Sequence, residues 1–309
     1  MKTIYAVTIA GMLVFSENVL ATAQSQDLNM SQKSPEVTIS TSPFVWPKDE
    51  VQAAKITKQQ IVALLLEIDK AVATTRGESI SGLSEDVESY RFANLDDGAL
   101  YLLAVADASP MKWFQDIAVI RCYGTVCSSE WIHSEPPNDL NRQLLDLHHD
   151  GRHQMIVKKC ICQGGERESG ELLHIYSASG GKIADQSANY PEFYKTTVLP
   201  DLAARVQKAN PDELNSVDDV EKQKARLTYA QLEVERRVLG DRTAGLSEAR
   251  KWEQSTDEDI KSLAVRTYEE VDAPEAAEGL RRMSQMNSPK IRQKAEDALS
   301  RKASKIAPQ

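Results

Sequence analysis

The stretch DLHHDGRHQ (residues 146–154), followed by the apolar run MIV (155–157), is the most informative part of this 309-residue chain. Side chains able to ligate a metal ion stand at every second position from Asp146 to Asp150, a glycine follows, and a strand-like run begins soon after. This layout is typical of a short cation-binding loop that opens a β-hairpin. Imidazole and carboxylate groups also suit zinc. We therefore expect a hairpin here, with candidate calcium or zinc ligands at Asp146, His148, Asp150 and His153.

A shorter copy of this unit occurs earlier in the chain. The loop NLDDG (94–98) runs into the apolar stretch LYLLAV (100–105). Two copies predict a small repeat fold in the middle of the chain, and repeat folds are more often binding surfaces than enzymes. Residues of high β propensity between turn signals predict strands at Tyr90–Asn94, Leu100–Ala106, Phe114–Cys122, Val126–His133, Gln143–Leu147, Met155–Ile161, Glu171–Ser177 and around Ile183.

Helical periodicity flanks the β region and takes over after Pro211. Apolar residues recur at three- and four-residue spacing between Ile56 and Val72, and a second helical stretch runs from Phe193 to Lys208. The C-terminal part reads as helix throughout, with helices predicted at Val220–Leu239, Ser247–Gln254, Asp257–Glu270, Pro274–Gln285 and Ser288–Lys302. The expected fold class is therefore α+β.

Residues 140–188 resemble a repeat of the FG-GAP/VCBS class, and residues 90–122 resemble a poorer copy. In that family the loop carries Asp or Asn at its first, third and fifth positions and an acid at its ninth. Asp146 and Asp150 match this pattern, whereas His148 and Gln154 depart from it. The resemblance implies an antiparallel β-repeat domain and calcium as the family's usual ion. Because two units are too few to close a propeller, we expect a partial propeller or an open sheet.

Residues 255–303 resemble HEAT-type helical repeats. Equivalent apolar positions recur in it at an offset of 31 residues. The residues that carry the resemblance are Ile260, Leu263, Ala264, Ile291, Ala295 and Leu299. It implies a small α-solenoid, a fold that generally binds proteins on an extended face. A plain antiparallel helical bundle packed on the β domain is the alternative.

The N-terminus has the layout of an export signal. Lys2 gives a positive start, residues 4–15 form an apolar core, and Ala21-Thr22-Ala23 is the small-x-small pattern of a cleavage site. We expect cleavage after Ala23 and a periplasmic or secreted protein, because the apolar core is too short for a membrane anchor, which is the alternative. Residues 24–45 are rich in Ser, Gln, Thr and Asn, a composition that predicts a disordered tether.

The four cysteines fit an oxidising compartment. An even count of Cys122, Cys127, Cys160 and Cys162 favours disulfides. Cys122 and Cys127 flank a turn and should face each other across a hairpin. Cys160 and Cys162 should point to the same face of a strand, and we expect both to reach across to the Cys122/Cys127 hairpin. A four-thiolate zinc site is the alternative.

Charge is distributed unevenly along the chain. The net charge is −9, and about −7 of it falls between residues 81 and 200. An acidic chain is a poor partner for nucleic acid or anionic membranes, and a basic protein is the partner that the middle region would attract. The expected parts are a signal peptide (1–23), the tether (24–45), an acidic, disulfide-containing β-rich domain with flanking helices (46–210) and a helical HEAT-like domain (211–309).

The sequence lacks the motifs of common catalytic sites. It contains no Gly-x-Ser-x-Gly elbow, no His-Glu-x-x-His helix and no phosphate-cradling glycine loop. We therefore predict an exported, non-catalytic protein-binding module of the bacterial envelope, either an inhibitor or immunity-type protein or a scaffold, and no resident cofactor. A calcium- or zinc-binding module is the alternative, and a hydrolase is a weaker one.

Overall fold

The computed structural model describes residues 36–39, 44–76, 87–107, 115–134, 138–160, 171–179, 182–209 and 217–306. They form an α+β protein in which antiparallel sheets are followed by a helical part, as the sequence predicts. The expected signal peptide, most of the expected tether and Cys162 lie outside the described residues. In the part of the chain that is described, no helix is long and apolar enough to cross a membrane.

The strands follow the predicted positions closely, apart from the Gln143–Leu147 stretch and a strand at residues 36–38. The expected disordered tether is wrong at that strand, because Val37 and Ile39 are buried there in spite of the polar composition around them. The strands are β1 (Glu36–Thr38), β2 (Val87–Asn94), β3 (Leu100–Asp107), β4 (Gln115–Tyr123), β5 (Val126–Ser134), β6 (Leu144–Leu145), β7 (Gln154–Cys160), β8 (Glu171–Ser179) and β9 (Lys182–Asp185). The first sheet has the order β1-β5-β4-β3-β2 and the second has the order β6-β7-β8-β9. All neighbouring strands are antiparallel.

The helices lie before, between and after the strands. They are α1 (Glu50–Ala53), α2 (Lys58–Arg76), α3 (Leu140–Gln143), α4 (Pro191–Phe193), α5 (Leu199–Lys208), α6 (Val217–Arg237), α7 (Leu246–Glu253), α8 (Glu258–Glu270), α9 (Pro274–Met283) and α10 (Pro289–Ile306). A 3₁₀ turn (Ser187–Asn189) precedes α4, and a π-helical turn (Tyr194–Val198) joins α4 to α5.

The first sheet is covered on both faces. Because side chains alternate along a strand, β3 sends Leu102 into a core shared with Leu65 of α2, and its neighbour Leu103 into a core shared with Val157 of the second sheet. Strands buried on both faces contain near-continuous apolar runs. This explains why residues 100–106 are apolar without interruption.

The second sheet is likewise covered on both faces. Met155 and Val157 of β7 face the first sheet, whereas Ile156 between them joins the core of the helical part. In that core it lies with Ile175 of β8 and Tyr194, both fully buried. The helical part is therefore packed on the β region through a shared core.

Three long helices of the helical part lie side by side and parallel. Lys222 pairs with Asp257 (3.0 Å) near the start of α6 and α8, and Arg236 pairs with Glu270 (3.0 Å) near their ends. Ion pairs match α8 to α10 in the same sense, Asp259–Lys290 at 3.3 Å and Glu269–Arg301 at 2.6 Å. The offset of 31 or 32 residues between these partners agrees with the spacing seen in the sequence.

A disulfide joins Cys122 to Cys127 across the β4–β5 hairpin, where the two residues are paired with a Cα–Cα distance of 4.1 Å. The sequence analysis expected Cys122 and Cys127 to face each other, and this is confirmed. The expected disulfides from Cys160 and Cys162 to this hairpin are wrong, because Cys122 and Cys127 are bonded to each other. The physical reason is the turn, which is short enough to bring the two sulfurs within bonding distance.

Gly279 allows α9 to pack directly on Tyr268 of α8. A Cβ atom on Gly279 would lie 2.5 Å from the Tyr268 ring, which is fully buried and whose hydroxyl donates to Glu253 at 2.8 Å. We predict that Gly279→Ala lowers the free energy of unfolding by about 1–3 kcal/mol, because the ring cannot move aside without losing that hydrogen bond.

Urea denaturation would measure this loss of stability. Glu278→Ala, at the exposed neighbouring position, is the control and should change stability little. A rise of about 1 kcal/mol for Gly279→Ala, the gain expected from helix propensity alone, would contradict the close contact.

Buried charges join the ends of α6 and α8. Glu233 is almost fully buried and is paired with Arg236 and with Arg237, the latter at 2.5 Å. Glu270 accepts from both arginines at 3.0 and 3.2 Å. Burial and the neighbouring Glu233 carboxyl raise the pKa of Glu270 to about 7. Between pH 4.5 and about 7, Glu270 therefore keeps a proton in the native state that it has already released in the unfolded chain.

We predict that ionisation of Glu270 makes the free energy of unfolding depend on pH, and that Glu270→Gln removes this dependence. A carboxyl whose pKa is raised on folding contributes stability below its unfolded pKa, and this contribution is lost as the pH rises through the folded value of about 7. Relative to the wild type, Glu270→Gln should gain stability between pH 4.5 and 7 by the order of 2 kcal/mol. Urea denaturation at intervals across this range would test it, and a constant difference between the two proteins would disprove it.

Candidate functional site

The two loops that the sequence analysis singled out lie against each other. The loop between β2 and β3 meets the loop between β6 and β7 through a parallel bridge between Leu95 and His153. The His153 backbone N–H donates to the Asn94 carbonyl at 2.8 Å, and the Arg152 guanidinium donates to the Asp96 carbonyl at 2.9 Å. The contact joins the end of the first sheet to the start of the second.

The longer loop is closed by its own carboxylates. Asp146 accepts the backbone N–H groups of Asp150 at 3.1 Å and Gly151 at 2.8 Å, and these hydrogen bonds lower the Asp146 pKa. Asp150 accepts the N–H of Arg152 at 2.9 Å. Gly151 adopts a φ of 81°, a left-handed conformation that favours glycine. The backbone conformation of the loop therefore explains why a glycine occupies this position.

The candidate histidine ligands contact groups other than these carboxylates. His148 Nε2 lies 3.3 Å from the Tyr190 hydroxyl, and His153 Nδ1 lies 3.3 Å from the Asn94 carbonyl. Among the described residues, no group of three or more His, Cys, Asp or Glu side chains is placed to hold a metal ion. Calcium or zinc binding by Asp146, His148, Asp150 and His153 stays a prediction that calorimetric titration would test.

A buried amide fastens the two loops. Gln154 is fully buried, its side-chain oxygen accepts the Leu147 N–H at 2.8 Å, and its amide nitrogen donates to the Asp96 carboxylate. The second Asp96 oxygen accepts from the Tyr190 hydroxyl at 3.4 Å, and that hydroxyl lies 3.2 Å from Ser177 Oγ. Asp96 is thus the centre of a polar cluster to which both loops and the segment before α4 contribute.

Sequence reasoning missed this cluster as a unit. Asp96 and Gln154 were both visible as loop residues, but Ser177 and Tyr190 carry no local signal. The Gln at the ninth loop position was the available sign, because an amide can donate to a carboxylate and an ionised acid cannot.

The β4–β5 hairpin presents a second candidate surface, its tip at residues 123–126. Tyr123 is 63% exposed and Val126 is 39% exposed, both next to the disulfide. The Arg121 guanidinium lies over the Tyr123 ring, 4.3 Å from its centroid, and pairs with Asp97 at 3.1 Å. β1 pairs with β5 up to Val126, and the Thr125 carbonyl accepts the Ile39 N–H at 2.9 Å. The backbone of the tip is therefore held by the disulfide at its base and by β1 alongside it.

Comparison of the chain with protein-family models, with curated proteins and with solved structures gives no match. The resemblances to FG-GAP/VCBS and HEAT repeats accordingly rest on the sequence motifs alone.

We predict that Gln154→Leu lowers the free energy of unfolding by about 1–3 kcal/mol. The substitution keeps a side chain of similar size but leaves the Leu147 N–H and the Asp96 carboxylate without their buried partner. Thermal or urea denaturation would measure the effect. Gln293→Leu removes an exposed amide that donates to Asp297 at 2.9 Å and is the control, with little change expected. Equal effects of the two substitutions would show that the loop junction does not depend on this amide.

Proposed function

We propose that this protein is an exported, non-catalytic protein-binding module of the bacterial envelope that meets its partner through the hairpin tip (residues 123–126). The observation that carries the proposal is the exposure of Tyr123 and Val126 beside a disulfide. Tyr and Arg are enriched among the residues that dominate binding energy at protein interfaces. The tip combines an exposed Tyr with an Arg that is already stacked on it.

The rigidity of the tip supports this role. Binding costs free energy when a loop has to be ordered, and a loop ordered beforehand avoids that cost. The Cys122–Cys127 bridge and the pairing of β1 fix the tip backbone before any partner arrives. A disulfide of this kind is also typical of proteins outside the reducing cytosol, which supports export with cleavage after Ala23.

The charge of the surrounding region supports a basic partner. The segment 81–200 carries a net charge of about −7, and the positive charge of Arg121 at the base of the tip is paired with Asp97. A negative field speeds the approach of a basic protein and orients it. An inhibitor or immunity-type protein that blocks a basic toxin or hydrolase would use such a surface.

The helical part supports a scaffold role as a second version of the same function. We propose that it is a short HEAT-like array, because its parallel helices α6, α8 and α10 are matched by ion pairs between residues 35 apart for α6 and α8 and 31 or 32 apart for α8 and α10. A deletion of this part would be a poor test, since the second sheet shares its core with it. Surface substitutions are the appropriate test.

The proposal predicts that Tyr123→Ala abolishes partner capture. The tagged chain from residue 24 to residue 309 would be used to capture proteins from native envelope extract, with mass spectrometry of what co-elutes. Loss of a centrally placed interface Tyr commonly costs 2 kcal/mol or more, about thirtyfold in affinity. A basic partner displaced by moderate salt should therefore be retained by the wild type and lost from Tyr123→Ala.

Val51→Ala is the matched control, because Val51 is 73% exposed and lies on α1 rather than on the tip. It should retain the partner. Elution of the wild type without a stoichiometric partner, or equal capture by Tyr123→Ala, would refute binding through the tip. Retention by Tyr123→Ala combined with loss on reversing Glu269 or Arg301 of the α8–α10 surface would favour the scaffold version.

A further inference from the structure

The face of the first sheet that packs on the second sheet is uncovered at one end. Cys122 and Cys127 lie in the core shared with α2, so their neighbours along β4 and β5 are on the opposite face. On that opposite face, Val119 and Ile132 lie in the core shared with the second sheet. Tyr123 lies on the same face at the end of β4 and is 63% exposed. The second sheet therefore covers the middle of the face and leaves the end with the hairpin tip open.

Strand register places the side chains of this end in two rows across β1, β5 and β4. Neighbouring strands lie about 4.8 Å apart, so each row spans about 10 Å. We call the two rows the open face, and they consist of Thr38, Val126 and Tyr123 in the first and Glu36, Ser128 and Arg121 in the second. Glu36 and Thr38 are both exposed. The surface at this end is therefore wider than the tip, because β1 contributes to both rows.

Charge is distributed unevenly over the open face. The Arg121 guanidinium, at one end of the second row, is paired with Asp97 at 3.1 Å. Glu36, at the other end on β1, forms no ion pair with any other described residue. Glu130 follows Ser128 on this face of β5 and is a diagonal neighbour of Glu36, and such positions lie about 7–8 Å apart. Two carboxylates thus stand close together on the β1 side, while the positive charge on the β4 side is neutralised.

The two carboxylates on the β1 side suit a basic side chain from a partner. The Glu130 carboxylate is held in place because it accepts the Ile183 N–H at 3.2 Å, whereas Glu36 is exposed and can adjust. A lysine carries three N–H donors and an arginine five, so one basic group can serve both carboxylates. The first row beside them offers the Tyr123 ring and the Val126 side chain for apolar contact. The open face therefore matches a surface on which an apolar patch adjoins a lysine or arginine.

We propose that the protein partner binds flat across the open face, packing an apolar patch on the first row and presenting a lysine or arginine to Glu36 and Glu130. This inference rests on the function proposed for the hairpin tip and extends it, because β1 becomes part of the interface. Interfaces commonly combine an apolar centre with a polar rim, and complementary charges fix the orientation of the partner. The basic group of the partner would accordingly lie on the β1 side of the tip.

The test uses the basic protein that the tagged wild type retains from native envelope extract, purified and titrated into each variant by calorimetry. Glu36→Lys should weaken its binding by about tenfold or more, because a like charge would then face the basic group of the partner. Glu36→Gln removes the charge without adding one and should weaken binding by about twofold to fivefold, as the loss of an exposed ion pair does. Thr38→Arg adds bulk and positive charge to the first row and should weaken binding as much as Glu36→Lys.

Glu221→Lys is the matched control, because it makes the same change of charge at an exposed position on α6. It should bind as the wild type does. Urea denaturation should show wild-type stability for the variants at Glu36 and Thr38, whose side chains are exposed.

Unchanged binding in either Glu36→Lys or Thr38→Arg, or equal weakening by Glu221→Lys, would overturn the proposed contact. If Tyr123→Ala still loses the partner in that case, the function proposed for the tip stands without β1. A wild type that retains no partner would refute both proposals.

Discussion

Two sheets that each need cover on both faces determine how this protein is layered. Side chains alternate along a strand, so β7 cannot bury Met155 and Val157 against the first sheet without presenting Ile156 to the other side. The helical part covers that side, as α2 covers the outer face of the first sheet. Each layer completes the core of the next, and the helical part is therefore needed for the β region to be folded as it is.

The junction between the sheets is polar as well as apolar, and this gives the predicted cation loop a structural role. Gln154 stands where the FG-GAP/VCBS pattern has an acid, and its amide connects Leu147 to Asp96. Asp146 meanwhile accepts backbone N–H groups within its own loop. Gly151 is left-handed, Asp150 also accepts within the loop, and it is Arg152 and Gln154 that connect this loop to the loop between β2 and β3.

The layered core supports the surface through which the protein is proposed to bind its partner. The hairpin tip is fixed by the Cys122–Cys127 bridge, and its Tyr and Val extend into solvent rather than into a core.

The sequence by itself determined the secondary structure to a large extent. Uninterrupted apolar runs and turn residues located β3 and the β4–β5 hairpin, and helical spacing located α8 within a residue. The error at Gln143–Leu147 has a local cause: Asp139 accepts the Asn141 N–H and starts the short helix α3, which takes Gln143 out of the strand. Periodicity can be recognised in the sequence because it depends only on residues that are close together along the chain.

Only the tertiary structure decided which distant residues meet. The sequence placed Cys122 opposite Cys127, yet it could not say which thiols are bonded, because that depends on distances in the folded chain. Asp96 and Gln154 are 58 residues apart, and their contact follows from how the sheets pack. His174 and Asp185 meet through the register of β8 with β9. Contacts between residues that are distant in sequence depend on how whole sheets and helices pack. Because that packing is the sum of many weak contacts, no single stretch of sequence predicts it.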